Sequence, residues 1–326
     1  AKLDGTKNKS HLGANATLPV SEACCRAGAE ARSISLYRHI ADIYNDRLLT
    51  SPKEKFILPL PCFNIINGGV HAGNDLSIQE FMIIPQQDSF AENLRIAVKV
   101  YHTLKKILEK KFGKFAINLG DEGGFAPPLK RTSEALGLIT EAAKKAGLLR
   151  KIKIGIDAAA TQFYQNKRYF IEGRKMSREE LLAFYRNLVN RFPIIFIEDP
   201  FAEEDFEGFK KMKDMLGEKV FILGDDLLVT NIERMRKAHR IGCCSGAIIK
   251  PNQVGTVSEA IEAAKLAKSY GWKVLVSHRS GDTCDPFIAD FAVGVSADFI
   301  KAGAPARGER VEKYNRLLRI EEELKL

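Results

Sequence analysis

Six side chains recur along this chain from its middle onward: Asp157, Glu198, Asp225, Lys250, His278 and Lys301, separated by 41, 27, 25, 28 and 23 residues. Each ends a short apolar run, in KIKIGID, PIIFIED, KVFILGDD, GAIIK, KVLVSH and DFIK. A single acid after a strand is ordinarily a helix cap or a solvated loop residue. Three acids followed by Lys, His and Lys on successive runs are hard to explain as capping. If the runs are neighbouring strands, Asp157, Glu198 and Asp225 converge, and three close carboxylates repel one another unless a cation sits among them. An all-oxygen set without Cys or His suits a hard ion, and Mg²⁺ keeps positions open for water or substrate oxygens. Lys250, His278, Arg279 and Lys301 then form a cationic wall suited to a small, multiply anionic substrate. A salt-bridged barrel rim is the competing explanation.

Two further acids stand in unusual surroundings. Glu122 lies in NLGDEGG, whose glycines let the backbone approach a ligand closely. Glu80 lies in LSIQEFMII among nearly all-apolar neighbours and needs a partner. Taken alone, both are equally well explained as buried structural acids.

The intervals between the six side chains suit one strand plus one helix per unit. Six such units with continuous apolar strands predict a parallel sheet covered by helices, an α/β fold. Two earlier runs, ILPLPCFNII and IQEFMIIP, joined through NGGVHAGND, read as strands and raise the count to eight. Eight favours a closed (β/α)8 barrel over an open doubly wound sheet, and no GxGxxG or GxxxxGK[ST] phosphate loop supports the latter. In a barrel of parallel strands, all six side chains stand at the carboxyl ends, where active sites form. A long helix is expected from Ala91 to Lys111, and ARGERVEKYNRLLRIEEEL reads as a closing helix. Upstream, LGANATLPVSEACCRAGAEA and SLYRHIADIYND read as helices that stop at Ser51-Pro52.

Composition bounds the rest. The 326 residues, 45 % hydrophobic and 28 % charged, describe a globular chain with a sizeable core. No apolar run approaches the roughly 20 residues that span a bilayer. Fifty Lys+Arg against 41 Asp+Glu give a net charge of +9, which opens nucleic acid, an anionic surface or an acidic small substrate as partners. The basic residues are interspersed with acids, as in KKMKDMLGEK, and lack interleaved aromatics, so a solvated basic surface is favoured over nucleic-acid binding. The first residues lack a secretory pattern, which makes the cytoplasm the default address. The six cysteines show no CxxC and read as reduced, mostly buried side chains.

The sequence resembles the enolase (phosphopyruvate hydratase) family. The resemblance is carried by LDGTKNKSHLGANA, NIINGGVHAGNDLSIQEFMIIP, NLGDEGGFAPPL, GIDAAATQFY, FIEDPFAEEDFEGF, GDDLLVTN, IIKPNQVGT, VSHRSGDT, IKAGAPARGER and KYNRLLRIEEEL, which run from the first residues to the last. The joint presence of HRSG and DEGG makes it a resemblance to true enolases rather than to their wider superfamily.

The resemblance implies a TIM-type barrel and a Mg²⁺-dependent lyase of glycolysis and gluconeogenesis that interconverts 2-phosphoglycerate with phosphoenolpyruvate and water. Carried onto matching positions, Asp157, Glu198 and Asp225 are the metal ligands, Lys250 the base and Glu122 the acid. Lys301 holds the substrate carboxylate and Arg279 and Ser280 hold the phosphate, while His71, Gln79, Glu80 and His278 complete the pocket. Lys250 is expected neutral, its ammonium disfavoured by neighbouring cations, and Glu122 is expected to keep its proton through a raised pKa.

Departures from the family pattern are also present. Enolases begin with a further segment that supplies strands of an α+β N-terminal domain and a loop whose serine helps bind a second Mg²⁺. Residues 1–55 are therefore expected to be a helical remainder of that domain, with exposed apolar faces, and residues 56–326 the barrel catalytic domain. Asp282 stands where Glu is common, Cys284 follows shortly after, and Ala302 replaces a usual Thr. The implied full-length protein is a homodimer, and weak or absent activity is expected of this chain alone. An enolase-like, non-catalytic binding or structural protein is the alternative. Retention of both Lys250 and Glu122 favours the enzyme.

Overall fold

Eight of the apolar runs become the staves of a closed barrel in the computed structural model, which describes residues 2–46 and 55–325. Helices α1 (Ala14–Ala31) and α2 (Leu36–Asn45) come first, then strands β1 (Leu60–Asn67) and β2 (Glu80–Pro85) and helices α3 (Phe90–Phe112) and α4 (Thr132–Lys145). Strand β3 (Ile152–Asp157) is followed by three short strands, β4 (Tyr164–Gln165), β5 (Arg168–Ile171) and β6 (Arg174–Met176), and by α5 (Arg178–Arg191). Strands and helices then alternate: β7 (Ile194–Glu198), α6 (Phe206–Leu216), β8 (Phe221–Gly224), α7 (Ile232–Ile241) and β9 (Gly246–Ile249). A short α8 (Pro251–Val254), α9 (Val257–Ser269), β10 (Lys273–Ser277), α10 (Phe287–Gly294), β11 (Phe299–Lys301) and α11 (Gly308–Lys325) complete the chain. The expected helix stop at Ser51-Pro52 lies outside the described residues, and α2 already ends at Asn45, with Asp46 in the left-handed region at φ 52°.

The barrel closes in the order β1, β2, β3, β7, β8, β9, β10, β11 and back to β1. The six expected runs and β1 are its parallel strands, but β2 departs from the all-parallel expectation. It runs antiparallel to both β1 and β3. The segment between β1 and β2 holds one 3₁₀ turn, Gly69–His71, and no crossover helix, so the chain returns beside β1 in the opposite direction. The first residue of β2 therefore shares a rim with the last residues of the other strands.

The 41-residue interval between Asp157 and Glu198 also departs from one strand plus one helix, because β4, β5 and β6 form a separate antiparallel sheet ahead of α5. Its two turns place Asn166 and Lys167 at φ 50° and 60°, and Glu172 and Gly173 at φ 52° and 72°. Paired left-handed residues make the two-residue hairpin turn whose twist matches its strands.

Cys62, Met82, Ile84, Phe196, Leu223, Ile248, Leu275 and Phe299 pack inside the barrel. Burying each large apolar side chain contributes about 1.5–3 kcal/mol. Strand β3 presents Gly155 at the level of Phe196, and a Cβ on Gly155 would fall within the Phe196 ring. Several of the outer helices begin at side-chain caps, among them Ser177 with Glu180 at α5, Asn231 at α7 and Thr256 at α9.

Helices α1 and α2 lie against α8, α9 and α10. Thr17 Oγ1 donates to Gly255 O at 2.8 Å, Lys9 pairs with Glu259 at 2.8 Å, and Ile40 is buried against Gly294. Leu12 and Val20 remain exposed, as anticipated for this segment. No described helix is long and apolar enough to cross a membrane. All six cysteines are free, with Cys24 and Cys284 exposed and the other four buried.

Candidate active site

The rim formed by the ends of β3, β7, β8, β9, β10 and β11 gathers the six spaced side chains, and the start of β2 adds Glu80. Cross-strand register places Glu80 beside Asp157 and Asp157 beside Glu198. Lys301, at the end of β11, reaches into this group. Its Nζ lies 2.9 Å from both Glu198 oxygens, 3.3 Å from Asp157 Oδ2 and 3.2 Å from Glu80 Oε2. All four side chains are buried.

A second ion pair joins Lys250 Nζ to Asp225 Oδ2. Asp225 Oδ1 accepts from Gln253 Nε2 at 3.0 Å, and Thr230 Oγ1 links Gln253 at 2.6 Å to the Lys250 backbone N–H at 3.0 Å. Asp199 sits in the left-handed region at φ 41°, and its carboxylate accepts the backbone N–H of Asp225 at 3.0 Å and of Asp226 at 2.6 Å.

Glu122 enters from the loop between α3 and α4. Its Oε2 accepts from Asn64 Nδ2 at 3.0 Å and lies 3.3 Å from His278 Nε2, while Oε1 is 3.7 Å from His71 Nδ1. The glycines of this loop leave room for close packing within the protein. A Cβ on Gly124 would lie 3.1 Å from Asn64 O, and one on Gly123 would lie 2.8 Å from Ala306 O.

A cavity of about 200 Å³ is lined by His71, Gln79, Glu80, Glu122, Asp157, Asp225, Lys250, His278, Arg279, Ser280 and Lys301. Of the anticipated residues only Glu198 lies beneath the lining, reached through Lys301. Arg279 is exposed at the mouth and Ser280 is half-buried. A larger open groove of about 700 Å³ shares only Val70 and His71 with this cavity.

Charge in the cavity is unbalanced. Glu80, Glu122, Asp157, Glu198, Asp199, Asp225 and Asp226 face the ammonium groups of Lys250 and Lys301, with Arg279 at the edge. Burial, reinforced by Glu122, pushes the Glu80 carboxyl well above the usual range, and burial reinforced by Asp157 does the same to Glu198. Burial and Asp225 push Asp226 up to about 6.

The shifts at the two anticipated proton-transfer groups run opposite to the expected directions. Burial works against the Lys250 ammonium, but Asp225 outweighs it and raises the Lys250 pKa. Burial pushes Glu122 up, but His278, Lys301 and His71 outweigh it and hold the carboxyl well below its usual range. Burial shifts His278 below the ordinary imidazole range.

Two sets of three donor side chains, His71 with Glu80 and Glu122, and Asp199 with Asp225 and Asp226, have donor atoms within 4.8 Å of one another. The anticipated trio is instead divided between lysines, Asp157 and Glu198 on Lys301 and Asp225 on Lys250. Sequence reading missed Asp199, Asp226, Asn64, Gln162 and Gln253, all of which line or brace the cavity. The acidic doublets Glu198-Asp199 and Asp225-Asp226 were the available signal for two of them.

The chain matches the family model "Enolase, C-terminal TIM barrel domain" over residues 55–325 and "Enolase, N-terminal domain" over residues 1–40. It is 51 % identical over 326 residues to the enolase of Methanocaldococcus jannaschii, covering all of this chain and 74 % of that protein. It is 50 % identical to the enolase of Aeropyrum pernix, covering 98 % of this chain and 72 % of that one. It is 48 % identical to the enolase of Solanum lycopersicum, covering 99 % and 74 %. The matched residues take in the barrel and the helical segment that precedes it, and on that ground the chain belongs to the enolase family of lyases, the phosphopyruvate hydratases.

Proposed function

We propose that this protein carries out the Mg²⁺-dependent, reversible dehydration of 2-phosphoglycerate to phosphoenolpyruvate, with residues 56–326 as the catalytic barrel domain and 1–55 as the helical part of a second domain. The observation that carries the reading is one buried cavity that holds Lys250, braced through Asp225, and Glu122, braced through Asn64 and His278, with Lys301 beside them. Removal of a carbon-bound proton needs a free amine, and departure of a hydroxyl needs a carboxyl proton; the cavity brings together one lysine and one glutamate that can take those states.

The donor chemistry fits a hard divalent cation. Asp157 and Asp225 line the cavity and Glu198 lies just beneath it, all three offering oxygen donors alone, and the carboxylates there outnumber the ammonium groups. Those three residues would hold the ion, which supplies positive charge where the substrate carboxylate becomes more negative.

The protein's own residues divide the remaining work. Lys250 takes the proton from the carbon beside the carboxylate. Lys301 faces that carboxylate. Glu122 gives a proton to the hydroxyl on the next carbon, which leaves as water. Arg279 and Ser280, at the mouth, hold the phosphate, and His71, Gln79, Glu80 and His278 shape the pocket. The directions of the two shifts, up at Lys250 and down at Glu122, favour an ammonium and a carboxylate, which suits the reverse step, in which Glu122 takes a proton from water and Lys250 gives one to carbon. Free, largely buried thiols favour a reducing compartment, and we place the protein in the cytoplasm.

The test follows phosphoenolpyruvate formation from 2-phosphoglycerate by the intact gene product, with Mg²⁺ and with chelator. Turnover that requires Mg²⁺ and is lost in Lys250→Ala supports the reading. A folded, Mg²⁺-loaded protein without turnover overturns it.

A further inference from the structure

Arg310 lies in the first turn of α11, is 1 % exposed, and has no part in the chemistry above. A buried guanidinium ordinarily faces a carboxylate. This one instead donates to neutral acceptors. Nη1 donates to His278 Nδ1 at 2.6 Å and to Arg279 O at 2.7 Å, and Nη2 donates to Asp121 O at 3.1 Å and to Ser280 O. Its nearest carboxylate oxygen, Glu309 Oε1, is 3.6 Å from Nε.

Those acceptors belong to two separate segments of the site. Asp121 immediately precedes Glu122, and residues 278–280 are the three that follow β10. A single rigid, planar donor therefore ties the segment carrying Glu122 to the segment carrying Arg279 and Ser280. Gly303, at φ 87°, leaves room for the clasp, since a Cβ there would lie 2.7 Å from both Arg310 Cδ and Glu122 O. Lys313, also 1 % exposed, extends the clasp along the same loop by donating to Thr283 O and approaching Asp282 Oδ1 at 3.2 Å.

A guanidinium only donates, so the His278 Nδ1 it faces is an acceptor without a proton. The single N–H of the neutral imidazole is then on Nε2, 3.3 Å from Glu122 Oε2. We propose that Arg310 is a positioning residue: it fixes His278 as the Nε2–H tautomer facing Glu122 and holds the Arg279–Ser280 segment in register with the Glu122 loop. Its effect on turnover rests on the dehydration reading, whereas its hold on His278 does not.

The test pairs kinetics with ¹⁵N NMR of histidine-labelled protein, the His278 signal being assigned by its loss in His278→Gln. In the wild type, His278 is neutral with its proton on Nε2. Arg310→Met loses that tautomer preference, and kcat falls by roughly 10- to 100-fold, the effect expected when a partner that orients a site ligand is removed. Arg310→Lys remains at least about tenfold below wild type, because a point donor cannot span four acceptors. Added guanidinium ion restores part of both kcat and the His278 signal to Arg310→Ala, and ammonium ion does not. A proton on Nδ1 of wild-type His278 overturns the proposal, as does a folded Arg310→Met with wild-type kcat, KM and tautomer. Should the variants not fold, the wild-type tautomer decides. Absence of Mg²⁺-dependent turnover in the wild type would remove the dehydration reading while leaving the tautomer result standing.

Discussion

Glu80 begins its strand and Asp157 ends its own, yet the two face each other across one antiparallel pair at the same rim of the barrel. This follows from the reversal of β2, which carries a residue from the start of a strand to where every other strand delivers its last one. Lys301 closes the group, within 3.3 Å of Glu80, Asp157 and Glu198 at once. Among the described residues the ammonium is the only cation paired with all three.

Removing Lys301 should therefore destabilise the protein far beyond the loss of one side chain. Breaking a buried pair leaves an uncompensated charge and costs about 3–5 kcal/mol. Lys301→Met should lose that much in urea unfolding with chelator present. Millimolar Mg²⁺ should recover part of the loss if Asp157 and Glu198 then share the added cation. Unchanged stability in chelator would show that the carboxylates do not depend on Lys301.

Much of this was legible in the residues themselves. The strand-end positions of Asp157, Glu198, Asp225, Lys250, His278 and Lys301 follow from apolar runs of strand length, each ending in one functional side chain. The direction of β2 was not legible, because period and composition are blind to polarity and only the lack of a crossover helix between Asn67 and Glu80 reveals it. The β4–β6 sheet hid in a long interval whose signals were the local turns at Asn166-Lys167 and Glu172-Gly173. The direction of the Lys250 and Glu122 shifts was not legible, because partner choice decides it. Asp225 stands on Lys250, and the His278 N–H faces Glu122, arrangements that spacing alone does not specify.

Lys250 gives the sharpest test of the base. Lys250→Ala should lower kcat by about 10²- to 10⁴-fold, the usual contribution of a positioned proton-transfer group. Lys250→Arg keeps a cation for Asp225 but cannot release a proton at neutral pH. Both variants should therefore be similarly impaired, with the arginine variant nearer wild type in thermal stability. Substantial turnover in Lys250→Arg would reduce Lys250 to an electrostatic partner.

Gly155 tests the packing of the barrel interior. The Phe196 ring occupies the volume that a Cβ at Gly155 would enter, and both residues are wholly inside the barrel wall. Gly155→Ala should destabilise by about 1–3 kcal/mol through overpacking. Phe196→Leu in the same chain should return part of that loss, so that the double variant is more stable than the sum of the singles predicts. Strict additivity in chemical denaturation would place the strain elsewhere.

Glu22 on α1 provides a pH signature of the contact between the helical segment and the barrel. Burial, followed by the repulsion of Asp285, raises its pKa from 4.5 to about 7. Arg26, 3.7 Å away, offsets this weakly because its guanidinium also pairs with Asp285. Between those two pH values the folded protein holds a proton that the unfolded chain has released, so stability from this group falls as pH rises from about 4.5 to about 7 and is level above. Glu22→Gln cannot titrate. Its melting temperature should match wild type near pH 4.5 and exceed it near pH 8, with the other titrating groups cancelling in the difference. A gap between the two proteins that stays constant across this range would mean that Glu22 is ionised in the folded state throughout, and that the helix–barrel contact tolerates its charge.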